Sequence, residues 1–209
     1  MDNLKEILKN YTKDDYAENK INLHIHTVCS DGEGDAEQII KSAKDKGFKL
    51  ISITDHNTVE AHKTLSDEML ITGVEFDCWI GYVFIHLLAY GIDINNKELQ
   101  RFLAKDKKGT ESVIVRLFSR RNVPELIKTI HNAGGIAVLA HPACYWAINL
   151  ESLVKKLIEL GLDGIETYYP YPRFRRYVKF HTASDVIKIA QKHPDLIMTG
   201  GTDFHGKIF

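Results

Sequence analysis

Two histidines separated by one residue, with an aspartate close behind, are the part of this sequence best suited to chemistry. In the stretch NLHIHTVCSDGEGD (22–35), His24 and His26 end a short apolar run, and Asp31 follows where the chain should turn. Alternate positions of a strand share a face, so both imidazoles would point the same way. HxH alone is a weak motif, but imidazoles beside a carboxylate are donors that divalent metals bind.

The same types of side chain recur at or near the ends of other apolar runs. They are the acidic residues Asp55, Glu75 and Asp203 and the histidines His56, His86, His141 and His205. A lone histidine at a strand end is more often a hydrogen-bonded structural residue than a ligand. So many imidazoles and charges cannot be buried together without a partner, and cations are such a partner. The recurrence therefore predicts a site for more than one metal ion.

Short apolar runs alternate with segments of helical period, and these elements would position the polar side chains. Strands are predicted over 21–27, 49–54, 69–76, 82–91, 135–140, 163–168 and 195–201, and helices over 35–47, 124–135, 150–161 and about 182–193, with a helix-prone stretch from 95 to about 119. Asp35 would cap the first of these helices and Gly47 would end it. The alternation predicts one parallel α/β barrel, with a doubly wound sheet as the alternative. In a barrel, the loops after the strands converge on one face.

Composition narrows the class of protein and its surroundings. The 209 residues carry 27 basic and 28 acidic side chains, so no global charge attracts nucleic acid or anionic lipid. The three cysteines are far apart, which favours neither disulfides nor a thiolate zinc site and indicates the reducing cytoplasm. The charged start of the chain does not resemble a signal peptide. The most apolar segment, 69–90, is interrupted by polar residues and glycine, so paired strands are predicted there instead of a membrane span.

Seven motifs, taken in order, resemble those of the PHP (polymerase and histidinol phosphatase) superfamily. They are HIHTVCSDG, ISITDHNT, GVEF, HLLAYGID, AVLAHP, GIETYYP and GGTDFHG, which together span about residues 21–206. HLLAYGID and GIETYYP are most similar to the stand-alone phosphoesterases. The resemblance implies an α/β fold, a distorted seven-stranded (β/α) barrel forming a single domain over 21–209, after an N-terminal helical extension over 1–20.

The resemblance also implies a set of nine metal ligands, in which Asp31 would swing back over the end of the first strand. The set is His24, His26, Asp31, His56, Glu75, His86, His141, Asp203 and His205. Nitrogen and oxygen donors without thiolate favour two to three divalent ions of Mn, Fe or Zn. Such a cluster would suit a dianionic phosphate ester, attacked by a metal-bridging hydroxide. Asp55 and His205 are the candidate catalytic residues, and Asp55 would either orient a metal-bound imidazole or cap the following turn.

Arginines mark two segments that could bind the substrate. Arg120 and Arg121 come shortly before a predicted helix, and Arg173, Arg175 and Arg176 lie among aromatic residues after the sixth predicted strand. Guanidinium groups bind phosphate in a bidentate manner, and aromatic rings can stack on a base. Arg175 and Arg176 are therefore the first candidates for substrate contacts and Arg120 and Arg121 the next, with a solvated basic loop as the alternative.

The predicted function is hydrolysis of phosphate monoesters of nucleotides or related small molecules. A histidinol-phosphate phosphatase and a 5′ exonuclease on short oligonucleotides are the alternatives. The segment between His86 and His141 is short for a separate cap domain, so an open pocket is predicted, which would admit oligonucleotides. A non-catalytic metal-binding domain would be expected to have lost ligands. An amidohydrolase would have a lysine ligand late in the fourth strand, where this chain has His86. The chain ends four residues after His205, which leaves open what covers that end of the barrel.

Overall fold

Seven strands form one sheet that curls into a nearly closed barrel. A computed structural model of the chain describes residues 2–171 and 180–209. The strands are β1 (Ile21–Ile25), β2 (Leu50–Ile53), β3 (Leu70–Ile80), β4 (Val83–Tyr90), β5 (Ile136–Leu139), β6 (Gly164–Tyr168) and β7 (Ile197–Gly200). They follow one another across the sheet in chain order. Just beyond β7, Phe204 pairs with Ile25 and so brings the last strand back to the first. The predicted α/β barrel of seven strands is confirmed.

The direction of β4 differs from the prediction of an all-parallel barrel. β4 runs antiparallel to both β3 and β5, whereas the other neighbouring strands are parallel. Only Gly81 and Tyr82 connect β3 to β4, and a parallel connection needs a crossover of a dozen or more residues. Gly81 has a φ of 62°, a conformation that glycine adopts without steric cost. The parallel prediction is therefore wrong for β4.

The helices bury apolar stripes against the sheet. Their bounds are α1 (Asp2–Lys9), α2 (Lys13–Ala17), α3 (Ala36–Asp45), α4 (Lys97–Gln100), α5 (Lys108–Glu111), α6 (Val113–Leu117), α7 (Val123–Asn132), α8 (Leu150–Glu159) and α9 (Ala183–Lys192), with 3₁₀ turns at Glu60–Lys63 and Pro142–Cys144. Asp35 caps α3 by accepting the N–H groups of Glu37 and Gln38, as the sequence predicted. The helix-prone stretch gives three short helices, and Ser112, in an extended conformation, separates α5 from α6. None of the helices in the described ranges is long and apolar enough to cross a membrane.

The two N-terminal helices pack onto the barrel. Leu8 of α1 is fully buried in a cluster that includes Leu23 of β1 and Tyr90 of β4. Lys5 forms a 2.6 Å ion pair with Asp163, the residue before β6. The segment that precedes β1 is therefore tied to the domain by both apolar and ionic contacts.

Candidate metal centre

All nine predicted ligands lie together at one end of the barrel. His24 belongs to β1 and His26 follows it, His56 lies after β2, and Glu75 and His86 lie within the paired strands β3 and β4. Their donor atoms form overlapping groups in which all atoms are within 4.8 Å of one another: His26, Asp31, His56 and His205; His24, His26, Glu75 and Asp203; and Glu75, His86 and His141. The reversal of β4 does not remove His86 from the site, because His86 lies directly across the hairpin from Asp77 of β3.

Buried donor atoms without hydrogen-bond partners indicate that this cluster fits metal ions. His24 Nε2 and His26 Nε2 lie 3.2 and 3.3 Å from Glu75 Oε2, yet within the described ranges none of these three atoms has a hydrogen-bond partner. Two donors about 2.1 Å from one shared ion are themselves about 3.0–3.4 Å apart. The other oxygen, Glu75 Oε1, lies 2.8 Å from His86 Nδ1 and 3.1 Å from His141 Nε2. Glu75 is therefore placed to join two ions.

The loop that carries Asp31 is held by Asp55. Asp55 accepts hydrogen bonds from the N–H and O–H of Thr27, both at 2.7 Å, and from the hydroxyl of Ser30 at 2.6 Å. In the described part of the chain its link to a predicted ligand runs through Ser30, whose Oγ is 3.5 Å from His26 Nδ1. This geometry favours the loop-fixing alternative over direct orientation of a ligand, and a catalytic role for Asp55 stays a prediction. Gly32 permits the tight turn, since a Cβ there would lie 2.4 Å from the carbonyl oxygen of His26.

Sequence reasoning missed two buried carboxylates, Glu166 and Asp77. Glu166 contacts two predicted ligands from behind, whereas Asp77 is itself a candidate donor, in a further group with His56 and His86 whose donor atoms lie within 4.8 Å of one another. Glu166 on β6 is fully buried: its Oε1 lies 3.0 Å from His24 Nδ1, and its Oε2 accepts the N–H of His141 at 2.7 Å. Asp77 on β3 is also fully buried, with Oδ1 3.2 Å from His86 Nε2. The period of two along β3 was an available signal for Asp77, because it puts Asp77 on the same face as Glu75.

Among the described residues, the arginine that contacts the cluster is Arg116, which the sequence did not single out. It belongs to α6, is 6% exposed, and donates from Nη1 to Asp31 Oδ2 at 3.0 Å. Arg120 and Arg121 line a separate recess beside Phe102, and Arg121 donates to the carbonyl groups of Phe102 and Asp77. Substrate binding by Arg120 and Arg121 stays a prediction that this placement does not support.

The other two predicted substrate contacts, Arg175 and Arg176, lie outside the described residues, as does the neighbouring Arg173.

The carboxylates and imidazoles shift each other's pKa values. Burial alone would lower the pKa of His26 and His141, but Asp203 and Glu75 raise the pKa of His26 to about 9, and Cys144, Glu75 and Asp203 raise that of His141 to about 10. Burial lowers the pKa of His56 well below its usual value. Burial would raise the pKa of Glu75 and Asp203, yet the histidines hold both well below the usual range. Protons therefore occupy this site in the metal-free protein, and ions must displace them.

The cluster forms part of the wall of a cavity of about 670 Å³. Ligands among its lining residues are Asp31, His56, Glu75, His86, His141, Asp203 and His205, and apolar or aromatic ones are Trp79, Tyr82, Val83, Phe84, Val113, Leu117, Tyr145, Trp146 and Tyr169, together with Arg116 and Cys144. Tyr169 donates its hydroxyl to Asp203 Oδ2 at 2.9 Å. The cavity thus combines a strongly polar wall with aromatic rings.

A barrel with converging imidazoles and carboxylates at one end, open to a cavity of this size, defines the class of metal-dependent barrel enzymes. Residues 22–140, more than half of the chain, match the family model of the PHP domain. The chain therefore belongs to the PHP domain family, and with it to the metal-dependent phosphoesterases.

Three relatives illustrate the range of the similarity. The uncharacterised protein MJ1587 of Methanocaldococcus jannaschii is 26% identical over 174 residues, which cover 74% of this chain and 84% of the relative. A phosphoribosyl 1,2-cyclic phosphate 1,2-diphosphodiesterase of Eggerthella lenta is 22% identical, with 88% of this chain and 94% of the relative covered. The 5′-3′ exoribonuclease Rnm of Salmonella typhimurium is 27% identical over 68% of this chain but only 55% of its own length.

Solved structures share the fold. An amidohydrolase from Chromobacterium violaceum, with bound sulfate and no metal, superposes with a TM-score of 0.70 at 19% identity, covering 90% of this chain and 88% of the other. A protein from Bifidobacterium adolescentis assigned as a metal-dependent phosphoesterase gives 0.67 at 21% identity, with the same coverage. At these identities the likeness establishes the fold alone.

Proposed function

We propose that this protein hydrolyses phosphate monoesters of nucleotides or related small molecules, using two or three divalent ions of Mn, Fe or Zn. The observation that carries the proposal is the set of buried, unpartnered nitrogen and oxygen atoms around Glu75, which converge at one cavity. Purely structural histidines would have hydrogen-bond partners, because burying an unpaired polar atom costs about 1–3 kcal/mol. Several such atoms in one place are accounted for when cations occupy the space between them.

The nine ligands would hold the ions in the groups given above, with Glu75 shared. Ions bound there supply a water of lowered pKa as nucleophile and neutralise charge on the phosphoryl oxygens. The chain itself positions the donors. Tyr169 occupies Asp203 Oδ2, which leaves Oδ1 facing His26 Nε2 at 3.1 Å. Glu166 fixes the proton of His24 on Nδ1 and so leaves Nε2 free to bind.

His205 is the most exposed of the ligand histidines, with 39% of its side chain accessible. Its Nδ1 lies 2.8 Å from the carbonyl oxygen of Asp203, an arrangement in which Nδ1 donates and Nε2 is left as the acceptor. Nε2 is 3.3 Å from Asp31 Oδ1. In the proposed enzyme this nitrogen would bind an ion together with Asp31, so the catalytic part of His205 would be to hold that ion and not to transfer a proton.

The scope of substrates is supported by the cavity and by the relatives. A cavity of about 670 Å³ is large enough for a nucleotide-sized ligand. Two relatives act on a phosphoribosyl cyclic phosphate and on RNA, by their names. Cleavage of short oligonucleotides from the 5′ end is the second candidate, favoured by the open mouth, where Tyr82 and Trp146 are 66% and 68% exposed.

The three cysteines are unpaired, which supports a reducing, cytoplasmic location.

A phosphate-release screen tests the proposal. Protein reconstituted with Mn, Fe or Zn, with its metal content measured, is incubated with nucleoside monophosphates, nucleoside bisphosphates, sugar phosphates, histidinol phosphate and short oligonucleotides. We expect release from nucleotides and its loss in His24→Ala and His141→Ala, with folding checked by circular dichroism. Metal-loaded protein that cleaves none of these esters, or a folded variant with an unaltered rate, would overturn the proposal.

A further inference from the structure

The β3–β4 hairpin carries metal-binding and aromatic side chains in register on one face. Side chains alternate along a strand, so Glu75, Asp77 and Trp79 share a face of β3. On β4, His86 lies opposite Asp77, and Phe84 lies opposite Trp79 with ring centroids 5.2 Å apart. Same-face neighbours on a strand are about 7 Å apart. The Trp79–Phe84 pair therefore stands one step further out than Asp77 and His86, toward the mouth of the cavity.

A second tryptophan lies on another wall of the same cavity. Trp146 follows the 3₁₀ turn Pro142–Cys144 after β5 and is 68% exposed. The two walls meet where the N–H of Ile148 donates to the hydroxyl of Tyr82 on the hairpin turn, at 3.4 Å. Trp79 is fixed in place, because its Nε1–H donates to the carbonyl of Leu117 at 2.8 Å. Aromatic rings that stay accessible beside a polar site are typical of ligand-binding surfaces.

We infer that Trp79, Phe84 and Trp146 bind a planar aromatic group of the substrate, so that the preferred phosphate esters carry a group of nucleobase size. This inference rests on the proposed function and specifies its substrate class. The bound ring would lie in the cavity that the metal ligands line. Along β3 it would lie about 7 Å from Asp77, which is one same-face step, and about 14 Å from Glu75, which is two such steps. A nucleoside phosphate has this layout, with its charged group at one end and its flat ring at the other.

The chemistry of the pocket favours a flat ring over an aliphatic chain. Stacking on Trp and Phe accepts any base, because every base presents a π-face. Arg116 is the one guanidinium among the described lining residues, and it lies at Asp31, beside the ligands and not between the aromatic rings. The aromatic pocket thus selects for a ring without selecting for a particular base.

Tryptophan fluorescence tests the inference without any turnover. The chain contains two tryptophans, Trp79 and Trp146, and both line the cavity, so all indole emission reports on this pocket. Full-length protein in chelator is titrated with adenosine 5′-monophosphate or with glycerol 3-phosphate. We expect saturable quenching by the nucleotide, no quenching by glycerol phosphate, and weaker nucleotide binding in Trp146→Ala that Trp146→Phe restores. No saturable quenching, or equal quenching by both compounds, would overturn the inference.

Kinetics provide the second test. The ratio of kcat/KM for adenosine monophosphate to that for glycerol 3-phosphate should fall about 5- to 100-fold in Trp146→Ala and recover in Trp146→Phe. The matched control is Phe118→Ala, since Phe118 is 79% exposed but does not line the cavity. An unchanged ratio in Trp146→Ala contradicts the aromatic pocket but leaves the phosphoesterase proposal standing. Quenching by the nucleotide without hydrolysis of any ester would support the aromatic pocket and contradict the phosphoesterase proposal.

Discussion

Replacing Glu166 by glutamine removes one charge behind the metal ligands while keeping the side-chain volume. The Glu166 carboxylate accepts at both oxygens, from His24 Nδ1–H and from the His141 N–H. Glutamine has one oxygen and one NH₂ group. If its oxygen keeps the bond to His141, its NH₂ faces His24 Nδ1 and forces the His24 proton onto Nε2. Nε2 is the atom that faces Glu75 and Asp203, so a proton there blocks the metal.

The alternative orientation of the glutamine is no better, because its NH₂ would then face the N–H of His141. We therefore expect Glu166→Gln to weaken metal binding by about 10- to 100-fold, or about 1.4–2.8 kcal/mol. The assay titrates metal-free protein with Zn or Mn in competition with a chromophoric chelator. Glu159→Gln is the matched control, since Glu159 is exposed on α8. Affinity within about twofold of the parent protein in the folded Glu166→Gln variant would refute the tautomer argument.

Two further predictions concern protons and charge in the same cavity. The raised pKa values of His26, about 9, and His141, about 10, stabilise the metal-free protein below about pH 6.5, and this stabilisation is lost as the pH rises through 9 and 10. In the presence of chelator, the temperature of half-unfolding should therefore fall as the pH is raised from 6.5 to 9.5. The increase in this temperature on adding metal should grow over the same interval. A half-unfolding temperature that rises with pH in chelator would contradict this account. Arg116 lines the cavity beside Asp31, and we predict that its guanidinium binds the phosphate of the substrate. Arg116→Met should then raise KM for phosphate esters about tenfold or more while the metal content is kept, because that charge-assisted bond is lost. Arg116→Lys should recover part of the affinity, and an unchanged KM with lost metal would assign Arg116 to holding Asp31 instead.

The strands could be predicted from the sequence because most are buried on both faces and appear as continuous apolar runs. All five residues of β1 and all four of β5 are buried. The direction of β4 also had a signal, the glycine-containing turn after Trp79, since so short a turn permits only a hairpin. The alternation of strands and helices favoured a parallel barrel, and that general pattern outweighed the local one.

The gathering of the nine predicted ligands at one end of the barrel could be predicted because they lie within strands or in the loops after them, where side chains of a barrel converge. Glu166 could not, because its role depends on which residues lie next to β6, and the sequence does not give that register. Its partners are His24 on β1 and the backbone of His141 after β5. Arg116 needed tertiary information of another kind, because only the packing of the short helix α6 beside the cavity brings the guanidinium to Asp31.

The reversed strand explains why metal binding and substrate selection can share one wall. The pairing of β2 with β3 ends at Thr72, whereas β3 continues with β4 to Ile80. A crossover connection would have ended both strands at the rim of the barrel, but the hairpin extends past it. Glu75 and His86 therefore lie low on this wall, and Trp79 and Phe84 lie above them on the same pleated face. A one-residue change in register would turn the donors and the rings away together, so the two-residue turn at Gly81 fixes both properties at once.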